Sequence, residues 1–118
     1  DFKIMEPERA RSLLRMNQPR VLDNFRQLAA RKINLIPRVP LIPGYTLNTD
    51  NFRQILAFLA PFALKEMHLL PFHQYGEPKY RLLGKPWTLA SVKAPDEAEI
   101  QPYRVMAEAA GLHVTIGG

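Results

Sequence analysis

Hydrophobic and polar positions alternate with a period that changes several times along the chain, and each change marks an element. The stretch from Glu6 to Lys32 predicts helix in two pieces, because Pro7 and Pro19 each sit where a first-turn proline is tolerated. In the second piece Val21, Leu22, Phe25, Leu28 and Ala29 recur at i, i+1, i+4, i+7 and i+8, with Arg20, Asp23, Asn24 and Arg31 opposite, which is the pattern of a surface helix lying on a core. From Ile33 to Gly44 the chain is apolar but too short and too rich in proline for helix, so a buried strand running into a turn is expected. Pro37, Pro40 and Pro43 place part of that strand at an edge or a break in the sheet. Asn48 or Thr49 then caps a helix with Phe52, Ile55, Leu56 and Leu59 on one face, stopped by Pro61. Lys65 to Leu70 predicts the next short strand, and Pro71 to Trp87, punctuated by Gly76, Pro78, Gly84 and Pro86, a loop long enough to be functional. Pro95 opens a helix with Asp96, Glu97 and Glu99 in its first turns, Gly111 closes it, and His113 to Ile116 forms a last strand.

Strands opening near Asp1, Ile33 and Lys65 are spaced by about 32 residues, the first two each followed by an amphipathic helix. That is the βα unit of a parallel sheet, an α/β fold in which connections are right-handed and ligand contacts collect at the carboxyl ends of the strands. Asp1-Phe2-Lys3 reads as the last residues of a strand, so the earlier strands of the sheet are expected upstream; the chain also lacks an initiator Met.

Composition narrows the picture. The 118 residues amount to one domain or a piece of one, too few for a closed eight-stranded barrel of about 250. No apolar run reaches the roughly 18 residues that span a bilayer, and the charged opening is no signal peptide, so no membrane partner and a cytoplasmic location are expected. Cysteine is absent, which excludes disulfides and any thiolate-held zinc or iron–sulfur centre built by this chain alone. The net charge of +5 raises anionic partners. Arg9, Arg11, Arg15, Arg20, Arg26 and Arg31 are nevertheless dispersed along helices, as on a solvated outer face, and no nucleic-acid role is expected.

Few residues stand out as chemistry. Arg38 is the only charge in its strand, and alternation puts it with Ile36, Pro40 and Ile42 on one face, opposite Leu35, Pro37, Val39 and Leu41. A guanidinium on a mostly apolar face needs a partner, either a structural carboxylate or the carboxylate or phosphate of a ligand. His73, just past the strand at Lys65, stands at a carboxyl end; beside Phe72, Tyr75 and Tyr80 it is either a ligand contact or a packed, satisfied histidine. His68 reads as core or interface and His113 as structural. Asp1 and Lys3 flank Phe2 and point to one side of a strand, as frayed charges or as an opposite-charge pair suited to a zwitterionic ligand or a cation. Nucleotide-binding glycine loops, nucleophile elbows and His-Glu-x-x-His motifs do not occur, and the three histidines lack helical i, i+4 spacing.

Three segments, taken in order and spacing, carry a resemblance: Asp1-Phe2-Lys3, the run from Ile36 to Gly44 (IPRVPLIPG), and the run from Leu69 to Tyr80 (LLPFHQYGEPKY). They resemble the C-terminal half of glycyl-radical enzyme activating proteins, radical S-adenosylmethionine enzymes related to pyruvate formate-lyase activating enzyme. The resemblance covers nearly the whole chain, and the segment from Leu69 to Tyr80 is its most specific part. It implies the C-terminal half of a partial (β/α)6 barrel, with residues 1–118 a single truncated domain. In that family a [4Fe-4S] cluster on a Cys-x3-Cys-x2-Cys loop cleaves S-adenosylmethionine reductively, and the resulting radical removes a hydrogen atom from a glycine of the partner enzyme.

Residue by residue, Asp1 and Lys3 match the family's Asp-x-Lys motif, which implies that Lys3 holds S-adenosylmethionine and Asp1 a monovalent cation near its carboxylate. Arg38 and His73 match residues that lie against the same ligand. The implied partners are a glycyl-radical enzyme, pyruvate formate-lyase or a paralogue, and an electron donor such as flavodoxin. The cluster cysteines and the glycine-rich segment for the ligand's amino group are absent from this chain, so by itself it is expected to be inactive. A different reading is a catalytically silent half-barrel that docks on a partner protein. Two geometric expectations follow: Arg38 and His73 lie near the carboxyl end of one parallel sheet and within reach of one ligand, and an exposed sheet edge favours self-association.

Overall fold

A computed structural model of the chain describes residues 1–73, 82–84 and 91–117. The long loop expected from Pro71 to Trp87, including Tyr75, Gly76, Pro78, Tyr80 and Pro86, lies mostly outside the described residues. Helix α1 (Pro7–Leu14) is capped by the Glu6 carboxylate, which accepts from the backbone N–H groups of Glu8 and Arg9 at 3.0 and 2.6 Å, and Arg15 ends it in the left-handed region at φ 52°. Helix α2 (Gln18–Ala30) starts at the Asn17 side chain, which accepts from the Arg20 N–H at 3.2 Å. The two prolines thus split the segment where the sequence places the split.

Strand β1 (Arg38–Leu41) is shorter than the expected Ile33 to Gly44. Its prolines explain the difference. Pro37 has no N–H to continue a ladder, and past Leu41 the chain turns, the Ile42 C=O accepting from Tyr45, Thr46 and Leu47 at 3.0 Å each. Gly44 occupies this turn at φ +81°, a conformation that side-chain-bearing residues rarely adopt. Helix α3 (Thr49–Leu59) has Asn48 as its cap and passes into one 3₁₀ turn at Ala60–Phe62. Strand β2 (Glu66–Pro71), helix α4 (Glu97–Ala109) and strand β3 (His113–Ile116) complete the described elements. Asp96 caps α4 instead of lying in its first turn, and Pro102 inside α4 has no N–H to give to the helix.

The strands form a parallel sheet in the order β1-β2-β3, with Arg38 paired to His68 and His68 to Thr115. Odd-numbered residues of β1 bond to β2: the His68 N–H donates to Pro37 C=O at 3.0 Å and the Phe72 N–H to Leu41 C=O at 3.1 Å. Pro40 has its ring nitrogen on the other side, where no β2 bond is lost. There the Phe2 N–H donates to Arg38 C=O at 2.8 Å, the single bond joining the opening segment to β1. Residues 1–5 therefore form no regular strand. They do run parallel to β1, because Phe2 meets its first residue while Lys3 and Met5 bond to Asn51, at the start of the helix that follows its carboxyl end.

Among the described residues, helices pack on one face of the sheet only. Val39, Leu41, Met67 and Leu69 are fully buried there against Phe52 and Ile55 of α3 and Tyr103 and Ala107 of α4, with Phe52 edge-on to Tyr103 at 5.2 Å. The stripe of α2 is only half-buried. Phe25 carries its contact with the rest, meeting Phe2 and Phe62 edge-on, each at 5.1 Å.

Phe52→Ala should cost about 3–5 kcal/mol through lost burial and the cavity left behind, whereas Leu28→Ala on the half-exposed stripe should cost well under half as much. Denaturant midpoints compare the two, and equal losses would contradict this packing. Burial raises the Tyr103 phenol above its ordinary value of 10.0, so the folded state retains the proton that the unfolded state gives up. The contribution from this group is present below pH 10 and declines as pH rises past that value; Tyr103→Phe should flatten the alkaline limb of a stability–pH curve.

Candidate functional site

The uncovered face of the sheet carries the side chains that alternation turns away from the core. Register puts Arg38, His68 and Thr115 in one transverse row, and the bond from Phe2 to Arg38 brings Asp1 beside that row. The next row holds Pro40 and Leu70, both half-buried, with Lys3 on the neighbouring opening segment. Asp1 and Lys3 share this open side, while Phe2 between them is buried on the helix side.

Asp1 and Lys3 line the same cavity, of about 570 Å³, with Pro40 and Ile42 of the β1 segment, Tyr45 of the following turn and Leu13 of α1. One wall offers a carboxylate and an ammonium, the other sides mostly apolar surface. Lys3 and Arg38 bring two cations to this part of the opening segment, which favours an anionic group there.

The structure unites Asp1, Lys3 and Arg38 but not His73. Arg38 opens β1 at its amino end, contrary to the expected carboxyl-end position, because the preceding Pro37 lends the ladder one C=O but has no N–H to extend it. Its side chain is exposed, so the argument that burial forces a partner on it does not apply, and it makes no hydrogen bond or ion pair with another described residue. His73 lies five positions past His68, the register partner of Arg38, or roughly 16 Å along the strand direction. It lines a separate groove with Pro95, Asp96, Gln101 and Arg104 at the start of α4. Arg38 thus stands at the amino end of β1, not near the carboxyl end as expected, while His73 lies past the carboxyl end of β2. His68 is half-buried on the open face, and His113 is exposed at the start of β3.

Three polar residues that build the site escape a reading by pattern. Thr46 is buried, and its hydroxyl accepts from the Ile42 N–H at 2.8 Å, closing the turn that carries Tyr45. Asn51 bonds to the opening segment through both ends of its amide. The Arg9 guanidinium donates to Gly44 C=O at 3.1 Å and ties α1 to the same turn. Their partners lie up to 48 positions away in sequence, beyond the range of any periodicity.

Among the described residues no group of three or more His, Asp or Glu is arranged to hold a metal ion. With no cysteine in the chain, its residues do not fit an iron–sulfur cluster. The paired charges of Asp1 and Lys3 above an apolar floor do fit a zwitterionic ligand with a less polar body.

No protein-family model matches the chain. It is 55% identical, over all of its 118 residues, to the pyruvate formate-lyase 2-activating enzyme of Escherichia coli (strain K12), of which it covers 40%. Identity is 29% to the indoleacetate decarboxylase activating enzyme of Tractidigestivibacter scatoligenes, across 98% of this chain and 37% of that protein. It is 32% to the 4-hydroxyphenylacetate decarboxylase activating enzyme of Clostridioides difficile (strain 630), across 86% and 33%. The chain thus spans about a third to two-fifths of the relatives it matches. A solved domain of pyruvate-formate lyase-activating enzyme from Bacteroides vulgatus ATCC 8482 has the same fold, with a TM-score of 0.76 over 98% of this chain and 63% of that one at 24% identity.

Thr46→Val should cost about 1–3 kcal/mol, because it leaves the Ile42 N–H without its acceptor, and Thr46→Ser should restore most of the loss. Thermal or denaturant unfolding checks this; a Thr46→Val protein as stable as the parent would remove the hydroxyl from the account of the turn.

Proposed function

From the premise that this chain is similar, end to end, to part of the activating enzymes of glycyl-radical enzymes, we propose that it is the C-terminal barrel portion of a cytoplasmic radical S-adenosylmethionine activase. The 55% identity over the whole chain to a pyruvate formate-lyase 2-activating enzyme carries this reading. In it, residues 1–118 are one truncated barrel domain, and the missing strands cover the open sheet face and the exposed Leu13 and Leu14 beside the cavity. By itself the chain is inactive and associates through its exposed sheet edge.

S-adenosylmethionine supplies the radical chemistry when bound beside a reducing cluster, and this chain contributes no ligand to that cluster. Its own residues bind and orient. Lys3 and Arg38 bring positive charge to the end of the opening segment, where a ligand carboxylate is attracted, and the Asp1 carboxylate takes the ligand's ammonium or a monovalent cation. Pro40, Ile42 and Leu13 exclude water from the less polar side. His73 enters the ligand site by resemblance alone, since its side chain lines the groove against α4. The substrate is a glycyl-radical enzyme, pyruvate formate-lyase or a paralogue, and an acceptor of one electron at a time calls for a donor such as flavodoxin.

In the full-length protein, Lys3→Ala and Arg38→Ala should each weaken S-adenosylmethionine binding tenfold to a hundredfold, about 1.4–2.8 kcal/mol, with iron content unchanged. Glycyl-radical yield, read by electron paramagnetic resonance beside the binding titration, should fall in parallel. Unchanged affinity and yield in both variants would overturn the assignment, and His73→Ala in the same assay tests the groove histidine separately.

A further inference from the structure

We infer that Asn51 is a positioning residue for the ligand cavity, setting Lys3 through the backbone of the opening segment; this rests on the proposed role of Lys3. The Asn51 Oδ1 accepts from the Met5 N–H at 2.8 Å, and its Nδ2 donates to the Lys3 C=O at 2.7 Å. Among the described residues these are two of the three hydrogen bonds made by the backbone of residues 1–5, the third being the bond from Phe2 to Arg38. The orientation of the amide is fixed by its partners, since the reverse would set a donor against a donor and an acceptor against an acceptor.

Asn51 is itself held firmly. It lies in the first turn of α3, the residue 9% exposed, and its own N–H donates to the Asn48 Oδ1 at 2.9 Å. Through it the helix packed on the core grips the peptide from which the Lys3 side chain enters the cavity. Without that grip Lys3 has no backbone hydrogen bond to a described residue, and its ammonium samples a wider range of positions. A misplacement of the order of 1 Å is enough to degrade an ionic contact that depends on geometry. A carboxamide meets this need where its near-isosteres do not: aspartate of the same shape loses the donor and sets negative charge against the Lys3 carbonyl, and leucine loses both groups.

The test is a double-mutant cycle in the full-length protein, reading S-adenosylmethionine affinity by titration and folding by thermal melting. Asn51→Asp should weaken binding about tenfold when Lys3 is present and cause no further loss in a Lys3→Ala background. Asn51→Gln, which keeps both amide groups, should lose less than Asn51→Asp, and it carries the same cycle if the aspartate variant fails to fold. A lowered melting temperature with unchanged affinity, or losses that add in full with Lys3→Ala, would overturn the proposal and leave Asn51 a purely structural residue. Full affinity in the Lys3→Ala single variant would instead overturn the underlying role of Lys3, and the positioning role with it.

Discussion

The parallel ladder between β1 and β2 decides which side chains of this protein meet water. Once the His68 N–H bonds to Pro37 C=O and the Phe72 N–H to Leu41 C=O, the period of two leaves no freedom. Val39, Leu41, Met67 and Leu69 go under the helices, and Arg38, Pro40, His68 and Leu70 go to the uncovered face. A slip of β1 by one residue would bury the guanidinium of Arg38 and expose the fully buried Val39 and Leu41, so register and core packing enforce one another.

That constraint also shapes the cavity. The same alternation in the opening segment buries Phe2 and turns Asp1 and Lys3 outward, so the two charges share a wall without ever being neighbours in sequence. The segment makes too few ladder bonds to hold itself. Its place is set instead by Phe2 among the rings of Phe25 and Phe58 and by the amide of Asn51. The turn after β1, shaped by Gly44 and closed by Thr46, delivers Tyr45 to the same cavity. Core, turn and cavity wall are thus consecutive consequences of one strand pairing.

Among the described residues the sheet carries helices on one face alone, half of a layered arrangement, and the protein carries the marks of that on its surface. Leu13 and Leu14 are 47% and 37% exposed beside the cavity, and Ile36 is 38% exposed at the approach to β1. These apolar side chains and the open sheet face agree with a chain that matches only a third to two-fifths of its relatives' length. The dispersed arginines, in contrast, stay in solvent: Arg11 and Arg53 each pair with a carboxylate three residues before, in exposed bridges that add little to stability.

The sequence alone determined the parallel α/β class, the split of the first helical segment at its prolines, a helix cap at Asn48 or Thr49 and the faces of β1, because each follows from local propensity or from a period that a few residues suffice to define. It also placed Asp1 and Lys3 on one side, and the resemblance it carried was to the proteins that the comparisons match. The tertiary structure alone decided the rest. It shortened β1, which moved Arg38 from the carboxyl end to the amino end and separated it from His73. It exposed the Arg38 guanidinium, because the face of the sheet it shares with Pro40 is not covered by the described helices. It brought Asn51 to Lys3 and Met5 across 46 to 48 positions, a contact written in no pattern, since hydrogen bonds between distant segments depend on where the packed core sets each backbone in space.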